Sequence, residues 1–487
     1  MRNRQGISRR DFIRHAAVGA ASMCLSGCAT IPRRISASSA PPQLRVTDRD
    51  AFRRLVDVAL GATSADHILV SLHDRIEELT QVHDQITDHT QDRIRRISIV
   101  VAYDQQVGSA TAPLTAEAVA DATKTAEQQA KAALPDPDYL PPLPPQRYPV
   151  LPTYRPETAA ARSARRAAAG LELVELYRTA GLQASGIVTT SAEAVGVAAS
   201  TGLFAFEQRT LAELDVTSIG SVVPVRLTAA NRSIDDLGLV EPARRAVARA
   251  KWLANPRTLP PGRYTVIFEP PAAAQLLRPL LDATDAALSA STRALHDMLD
   301  KEIIDPRLTL RNRPDHPALL ANGFDADGLP TNAKTWIDHG VLRQLYYDRL
   351  AARQHDTAPT FAPDAWHFSG DNPAGESVED LIRTTEQGIL VTKLERVRCV
   401  GPTDLTLTGH TCDGTFLIEK GEIVGSLTDL PWRESLLRAF SQVQAFSTPL
   451  DAVVSPRAVP VQAVTAGIRK MLVPAMKIHD FNMSPRE

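Results

Sequence analysis

The chain has 487 residues, is 44% hydrophobic and 23% charged, and carries a formal net charge of −2. That length accommodates two or three domains, and that composition is ordinary for a folded protein. The near-neutral balance argues against a dedicated nucleic-acid binder, which shows a strongly basic face. No segment beyond the N-terminal thirty residues supplies the roughly 18 consecutive apolar residues of a spanning helix.

The first elements concern targeting. Ser8-Arg9-Arg10-Asp11-Phe12-Ile13-Arg14 has the form of a twin-arginine export signal. A weakly apolar run from Ala16 to Leu25 follows, too short to span and suited to a signal h-region. It ends Leu25-Ser26-Gly27-Cys28, a lipobox-like sequence. In such a sequence the cysteine is acylated and becomes the new first residue. Residues 1–27 are therefore read as a cleaved signal with Arg9 and Arg10 as its export determinant. Cys28 is the lipidation site. Residues 28–45, rich in Ser, Pro, Ala and Arg, read as a tether. The expected location is the periplasm, with a membrane anchor.

Beyond the tether, Thr47 is placed to cap an amphipathic helix to about Gly61, with Phe52, Leu55, Val56 and Leu60 on one face. Ile68 to Leu72 reads as a short strand and Ile94 to Tyr103 as a longer one. Between them, Glu77 to Thr90 is polar and holds His83 and His89. Without compact ligand spacing these read as solvated residues on an edge strand rather than a metal site. Thr115 caps a helix to about Leu134, with Glu117 in its first turn. Pro135 to Pro156 is too proline-dense for helix or inner strand and reads as an extended connection.

An alanine-rich helix from Glu157 to Ala180 is ended by Gly181. Strands joined by glycine turns follow. Ser185 and Ser200 lie outside any Gly-x-Ser-x-Gly pattern and are not nucleophile candidates. A helix opens at Glu241-Pro242 and runs to about Ala254. Tyr264 to Phe268 is an apolar strand ending at Glu269-Pro270, and another helix follows it.

Asp325 and Asp327, in Phe324-Asp325-Ala326-Asp327-Gly328, suggest a turn whose carboxylates accept from backbone N–H groups. The further oxygen ligands of a calcium loop are missing. Ile337 to Leu342 reads as a helix end followed by a strand. Ser377 and Asp380 fit a capping box. From Gly388 to Leu427 the pattern is a β-meander, with Asp413-Gly414 as a hairpin turn and Lys420-Gly421 as a second turn. Phe416 and Ile418 alternate with Leu417 and Glu419. Cys399 and Cys412, thirteen apart there, are either a disulfide or two free thiols. Ser435 to Val443 is a short amphipathic segment, and Val453 to Thr465 suits an edge strand broken by prolines.

Four stretches resemble the TldD/PmbA family of peptidase-related proteins. Three are Gly181-Leu182-x-Ala184-Ser185-Gly186 with Ser200-x-Gly202-Leu203, the strand ending Phe268-Glu269-Pro270, and Phe324-Asp325-x-Asp327-Gly328-x-Pro330. The fourth is Thr408-Gly409 followed by Thr411-x-Asp413-Gly414-Thr415-Phe416-Leu417-Ile418-Glu419-x-Gly421-x-Ile423. Ala199 and Asp327 depart from the Asn and Glu usual in the family. The resemblance implies an α+β fold. Residues 46–260 would form the N-terminal α/β and central region. Residues 261–487 would form a large, mostly antiparallel β domain with flanking helices.

The resemblance also implies peptidase chemistry, and here the motif fails. Zinc-bearing members carry His-Glu-x-x-x-His on the helix after the Glu-Pro strand. Two histidines one turn apart hold the metal, and the glutamate activates its water. No histidine in this chain is followed by Glu. The nearest downstream histidine is His296, which shares a helical face with Asp300 and reads as an ordinary polar residue. The C-terminal cysteine signature is also missing. Ser455 to Pro460 stands roughly in its place.

This pattern resembles the PmbA/TldE branch, implying a non-catalytic partner of a zinc peptidase acting on peptides. No catalytic or metal-ligating residue and no cofactor is expected in this chain, with zinc held by the partner. The expected partners are a zinc-bearing TldD-like subunit or a second copy, a peptide substrate, and the membrane through the anchor. The alternatives are an exported scaffold or peptide-binding lipoprotein, or a peptidase with a rearranged site drawn from His355, His367 and His410.

Overall fold

The computed structural model describes residues 45–83, 85–219, 224–238, 240–249, 252, 255–287, 295–371, 375–453 and 470–484. Arg9, Arg10, Cys28 and the tether up to residue 44 lie outside them, as does the run from 454 to 469.

Helix α1 (Arg49–Gly61) is capped by Asp48, not Thr47. The Asp48 carboxylate accepts from the Ala51 N–H at 2.7 Å. Thr47 is drawn elsewhere, because its N–H and hydroxyl both donate to the buried Asp74 carboxylate at 2.8 and 2.7 Å. Strands β1 (His67–His83) and β2 (Gln85–Tyr103) then form one long antiparallel hairpin. The polar stretch expected between two separate strands thus lies within both. Ladder hydrogen bonds need no apolar side chain, and Ile76, Thr80 and Val82 bury one face of β1 while their neighbours face outward. The edge reading holds only for β2 up to Arg96, since β3 (Gln106–Ala112) pairs with it from Ile97 onward. Helix α2 (Ala116–Ala132) is capped by Thr115 as expected. The proline-dense stretch to Arg155 forms no helix.

Helices α3 (Pro156–Ala159) and α4 (Ser163–Thr179) follow, and Gly181 at φ +74° ends α4. Strands β4 (Gln183–Ala199), β5 (Phe204–Ile219) and β6 (Arg226–Asn231) complete a six-stranded antiparallel sheet, ordered β3-β2-β1-β4-β5-β6. Helix α5 (Val240–Arg249) leaves from its β6 edge.

The chain continues through β7 (Gly262–Phe268), α6 (Pro270–Ala283), β8 (Leu308–Asn312), β9 (Lys334–Asp338), β10 (Val341–Leu342), α7 (Arg349–Gln354), β11 (Trp366–Gly370) and α8 (Val378–Arg383). Then come β12 (Gln387–Gly401), β13 (Thr406–Glu419), β14 (Glu422–Ser426), β15 (Pro431–Ser435), α9 (Leu436–Ser441), β16 (Val443–Phe446), β17 (Leu450–Val453), β18 (Lys470–Val473) and β19 (Met476–Met483). These build two more sheets among the described residues. One is ordered β10-β9-β8-β11-β18-β17. The other is ordered β14-β13-β12-β7-β19-β16, with β15 paired to β13. The protein is a mixed α+β molecule, as the sequence implies.

Helix α6 lies between these two sheets, against β7 and β12 on one side and β17 and β18 on the other. Ala272, Ala273, Ala274, Leu276, Leu277, Leu280 and Leu281 are all buried on it, and burial on both flanks is why it is apolar nearly all round. A second cluster joins Leu173, Tyr177, Val188 and Leu214 of the first sheet's layer to Ile267, Leu390, Phe416 and Ile418. The third sheet is therefore covered on both faces. Phe416, Leu417 and Ile418 are all buried, where alternation predicts only one side in the core.

Two local expectations are corrected. Ile337 to Leu342 is strand, turn, strand, with His339 and Gly340 both at positive φ, and no helix ends there. Asp413-Gly414 is not a hairpin turn but a bulge inside β13, where the pairing slips between Val391 and Lys393. The positive φ that Asp-Gly supplies is present, +55° and +127°, but the ladder continues through it. The chain reverses instead between Gly401 and Thr406, and again at Lys420-Gly421, as expected for the latter. Gly414→Val places a β-branched residue at positive φ with its Cβ 3.0 Å from the Phe416 ring. It is expected to cost about 1 kcal/mol or more, measured by denaturant unfolding.

Candidate functional site

A cleft of about 530 Å³ lies where β6 and α5 meet the N-terminus of α6, the β13 bulge and the β17–β18 edge. Each wall has a sequence cause. Pro270 and Pro271 start α6 and bring no N–H to its first two positions, and the Glu269 side chain makes no cap hydrogen bond. Its Oε1 instead accepts from Arg249 Nη1 at 2.7 Å, with both side chains mostly buried. The Glu269 N–H donates to Val391 O at 2.9 Å, fixing the strand end against β12.

The bulge aims the opposite wall. The Thr392 hydroxyl reaches the Asp413 and Gly414 carbonyls at 3.0 and 2.9 Å, and Lys393 Nζ lies 2.8 Å from Asp413 Oδ2. Lys470, 2% exposed, pairs with the half-exposed Asp451 at 2.7 Å. Arg226 donates through Nε to Asp215 at 2.8 Å. Arg245, one turn before Arg249 on α5, is exposed and also lines the cleft. None of these cations stands out in the sequence, apart from the i,i+4 spacing of Arg245 and Arg249.

The helix that follows the Glu-Pro strand does not fit a metal. Its buried residues are Pro, Ala, Leu and Arg278, and Gln275 accepts from the Leu394 N–H at 2.6 Å. Histidine and cysteine are absent from it. His296 lies outside α6, in a 3-10 turn at 296–298, with its ring 5.6 Å from that of His355. His367 packs on His316 at 5.8 Å, and His410 faces Glu395 across the β12–β13 ladder. The three histidines named for a rearranged site thus have separate neighbours. Among the described residues, no group of three or more His, Cys, Asp or Glu side chains has metal-holding geometry. Burial, then Asp413, pushes the Cys412 thiol up to about 12, which disfavours the thiolate form. Cys399 and Cys412 are unbonded.

Asp325 accepts from the Asp327 and Leu329 N–H groups at 3.0 and 2.9 Å, the turn geometry expected for that loop. Nearby, Arg232 donates to the Leu320 and Ala321 carbonyls, and Asp364 accepts from both Asn322 nitrogens, joining β6 to the 320–323 loop. Burial pushes the Asp364 carboxyl up to about 7, against the pull of Arg209 and Arg232. A raised folded value makes this group's contribution to stability full below about 4 and lost as pH rises to about 7. The stability difference between wild type and Asp364→Asn should therefore shift in the variant's favour across that window and level off above it, as read from urea midpoints.

Residues 261–485 match the family described as the PmbA/TldA metallopeptidase C-terminal domain. A metalloprotease PmbA homolog of Buchnera aphidicola subsp. Baizongia pistaciae is 23% identical over 234 residues, 45% of this chain and 50% of that protein. The match thus spans about half the length of that curated relative. The crystal structure of TldE from Thermococcus kodakarensis superposes with a TM-score of 0.77 at 21% identity, over 89% of this chain and all of that one. A putative modulator of a DNA gyrase from Thermotoga maritima gives 0.73 at 16% identity, over 88% and 99%. The class shown is that of a mixed α+β fold like that of TldE. Within it, residues 261–485 carry the match to the PmbA/TldA metallopeptidase C-terminal domain.

Proposed function

We propose that this chain is the metal-free partner subunit of a zinc peptidase assembly acting on peptides, exported by Arg9-Arg10 and anchored through Cys28. The observation that carries the partner role is α6. Where zinc-bearing members of the family hold two histidines, this helix presents buried Ala and Leu, packed between two sheets with no ligand to offer. A catalytic zinc takes three protein ligands, and the cleft beside α6 is lined by cations paired to carboxylates rather than by imidazoles. The fold around that cleft is intact, which suits a subunit that retains the scaffold while another supplies the metal. The test is capture of the tagged full chain from native membranes followed by mass spectrometry. Recovery of a His-Glu-x-x-x-His relative in stoichiometric amount supports the assignment. Recovery of the chain alone or only with itself favours the scaffold or peptide-binding reading.

A further inference from the structure

We infer that residues 320–323 form a pH-sensitive clasp between the first sheet and the sheet that contains β8, and that ionisation of Asp364 loosens it. All four residues are gripped by side chains from outside the loop. Arg232, just after β6, donates through Nη2 to the Leu320 and Ala321 carbonyls at 3.1 and 2.7 Å. Glu207 on β5 accepts from the Gly323 N–H at 3.2 Å. Asp364 Oδ2 accepts from the Asn322 N–H and from its Nδ2 at 3.1 and 2.6 Å. Asp364 is itself fixed on the far side. The Ala365 N–H donates to Asn312 Oδ1 at 3.0 Å, and the Ala365 carbonyl accepts from the Arg313 N–H at 2.8 Å. The loop thus ties the first sheet to the end of β8 through the Asp364 carboxyl group.

That group is poorly placed to carry charge. Both Asn322 donors go to Oδ2, while Oδ1 is buried and has no hydrogen-bond partner among the described residues. From the first sheet, Arg209 and Arg232 face Asp364, and Glu207 and Glu193 face Arg232 in turn; from the loop, Asn322 faces it. Both guanidinium groups are engaged elsewhere. Arg232 donates to the Thr210, Leu320 and Ala321 carbonyls, and Arg209 donates to Glu207 at 2.7 Å. A buried charged oxygen without a donor costs more than a neutral one, and burial raises this carboxyl to about 7. Relief comes from admitting water to Oδ1. Because Ala365 is bonded at both its N–H and its carbonyl, the loop is the piece that yields.

The sign follows from the raised value. The closed loop holds Asp364 protonated up to about 7, whereas the open loop lets it ionise in the ordinary carboxylate range. Opening therefore gains about tenfold per pH unit below about 7 and gains no more above it. The inference depends on neither the partner role nor export, since it is read on this chain alone. Hydrogen exchange of the full chain, followed by mass spectrometry and corrected for the intrinsic rate at each pH, reads it directly. Protection of the Asn322 and Gly323 N–H groups should fall about tenfold per unit from about pH 5 to about pH 7 and then level off. These amides should exchange faster than those of α6 throughout, as a local opening requires. Asp364→Asn, which cannot ionise, should abolish the pH dependence. Glu207→Gln should lower the protection of Gly323 yet keep the dependence, because the titrating group remains. Constant protection in the wild type would overturn the inference, whether or not Asp364→Asn folds. So would an undiminished dependence in Asp364→Asn, or equal protection in the loop and α6, which would make the opening global.

Discussion

A chain carrying Arg9→Lys and Arg10→Lys is expected to remain in the cytoplasm as full-length precursor, while Cys28→Ala is expected to be exported without lipid. The first effect rests on the difference between the two cations. Arginine presents a rigid planar fork of donors, lysine a mobile point charge, so a receptor built for the paired guanidinium forks loses its geometry although the charge is kept. The second rests on the thiol, without which no acyl chain is attached. Each buried methylene of such a chain contributes about 0.8 kcal/mol to membrane binding. Its loss should move the protein from the membrane to the soluble fraction almost completely. Fractionation and labelling with a radioactive fatty acid read both outcomes. Unchanged distribution and labelling in both variants would remove the export reading.

Gly340→Val is expected to destabilise the fold more than Gly414→Val does, at roughly 3 kcal/mol or more. Gly340 sits at φ +78° in the β9–β10 turn, and an added Cβ would stand 2.5 Å from Ile304 O and 3.0 Å from Pro306 Cα. Those atoms are backbone and cannot swing aside. The turn is also held by the Gly340 N–H donating to Leu308 O at 2.9 Å and by Ile303 N–H donating to Gly340 O at 2.8 Å. Moving it would disturb the entry to β8 and with it the sheet that covers α6. Gly61→Ala is the matched control. It ends α1 with nothing within 4 Å of its Cβ and no positive φ, so it should leave stability nearly unchanged. Urea unfolding of both variants gives the comparison.

Much of this fold was legible because its signals are local. Thr115, the Ser377–Asp380 capping box, Gly181 and Lys420-Gly421 act within a turn of themselves, and each performs in the structure as its chemistry demands. The misreadings share a different cause, namely a long-range partner. Thr47 would cap α1 were it not for Asp74, which lies 27 residues away in sequence but within hydrogen-bond reach. Asp413-Gly414 would close a hairpin were β12 not long enough to pair on both sides of it. The polar run from Glu77 would be an edge strand throughout were its first part, in β1, not clamped between β2 and β4.

The cleft was less legible still. The lack of histidine on α6 was evident from the residues alone. Arg226, Arg245, Lys393 and Lys470 come from four separate elements, and no spacing relates them. Only the packing of the first sheet's layer against the third sheet, with its β13 bulge, brings them to one wall.

Whether this chain completes a peptidase without carrying metal itself is read from its zinc content and from hydrolysis with and without a second subunit. The purified full chain is analysed for zinc by mass spectrometry and assayed for peptide hydrolysis alone, with a zinc-bearing family subunit, and with chelator in each case. Substoichiometric zinc and no hydrolysis are expected of the chain alone, and chelator-sensitive hydrolysis in the mixture should exceed that of the zinc-bearing subunit by itself. Stoichiometric zinc and chelator-sensitive hydrolysis by this chain alone would contradict that expectation.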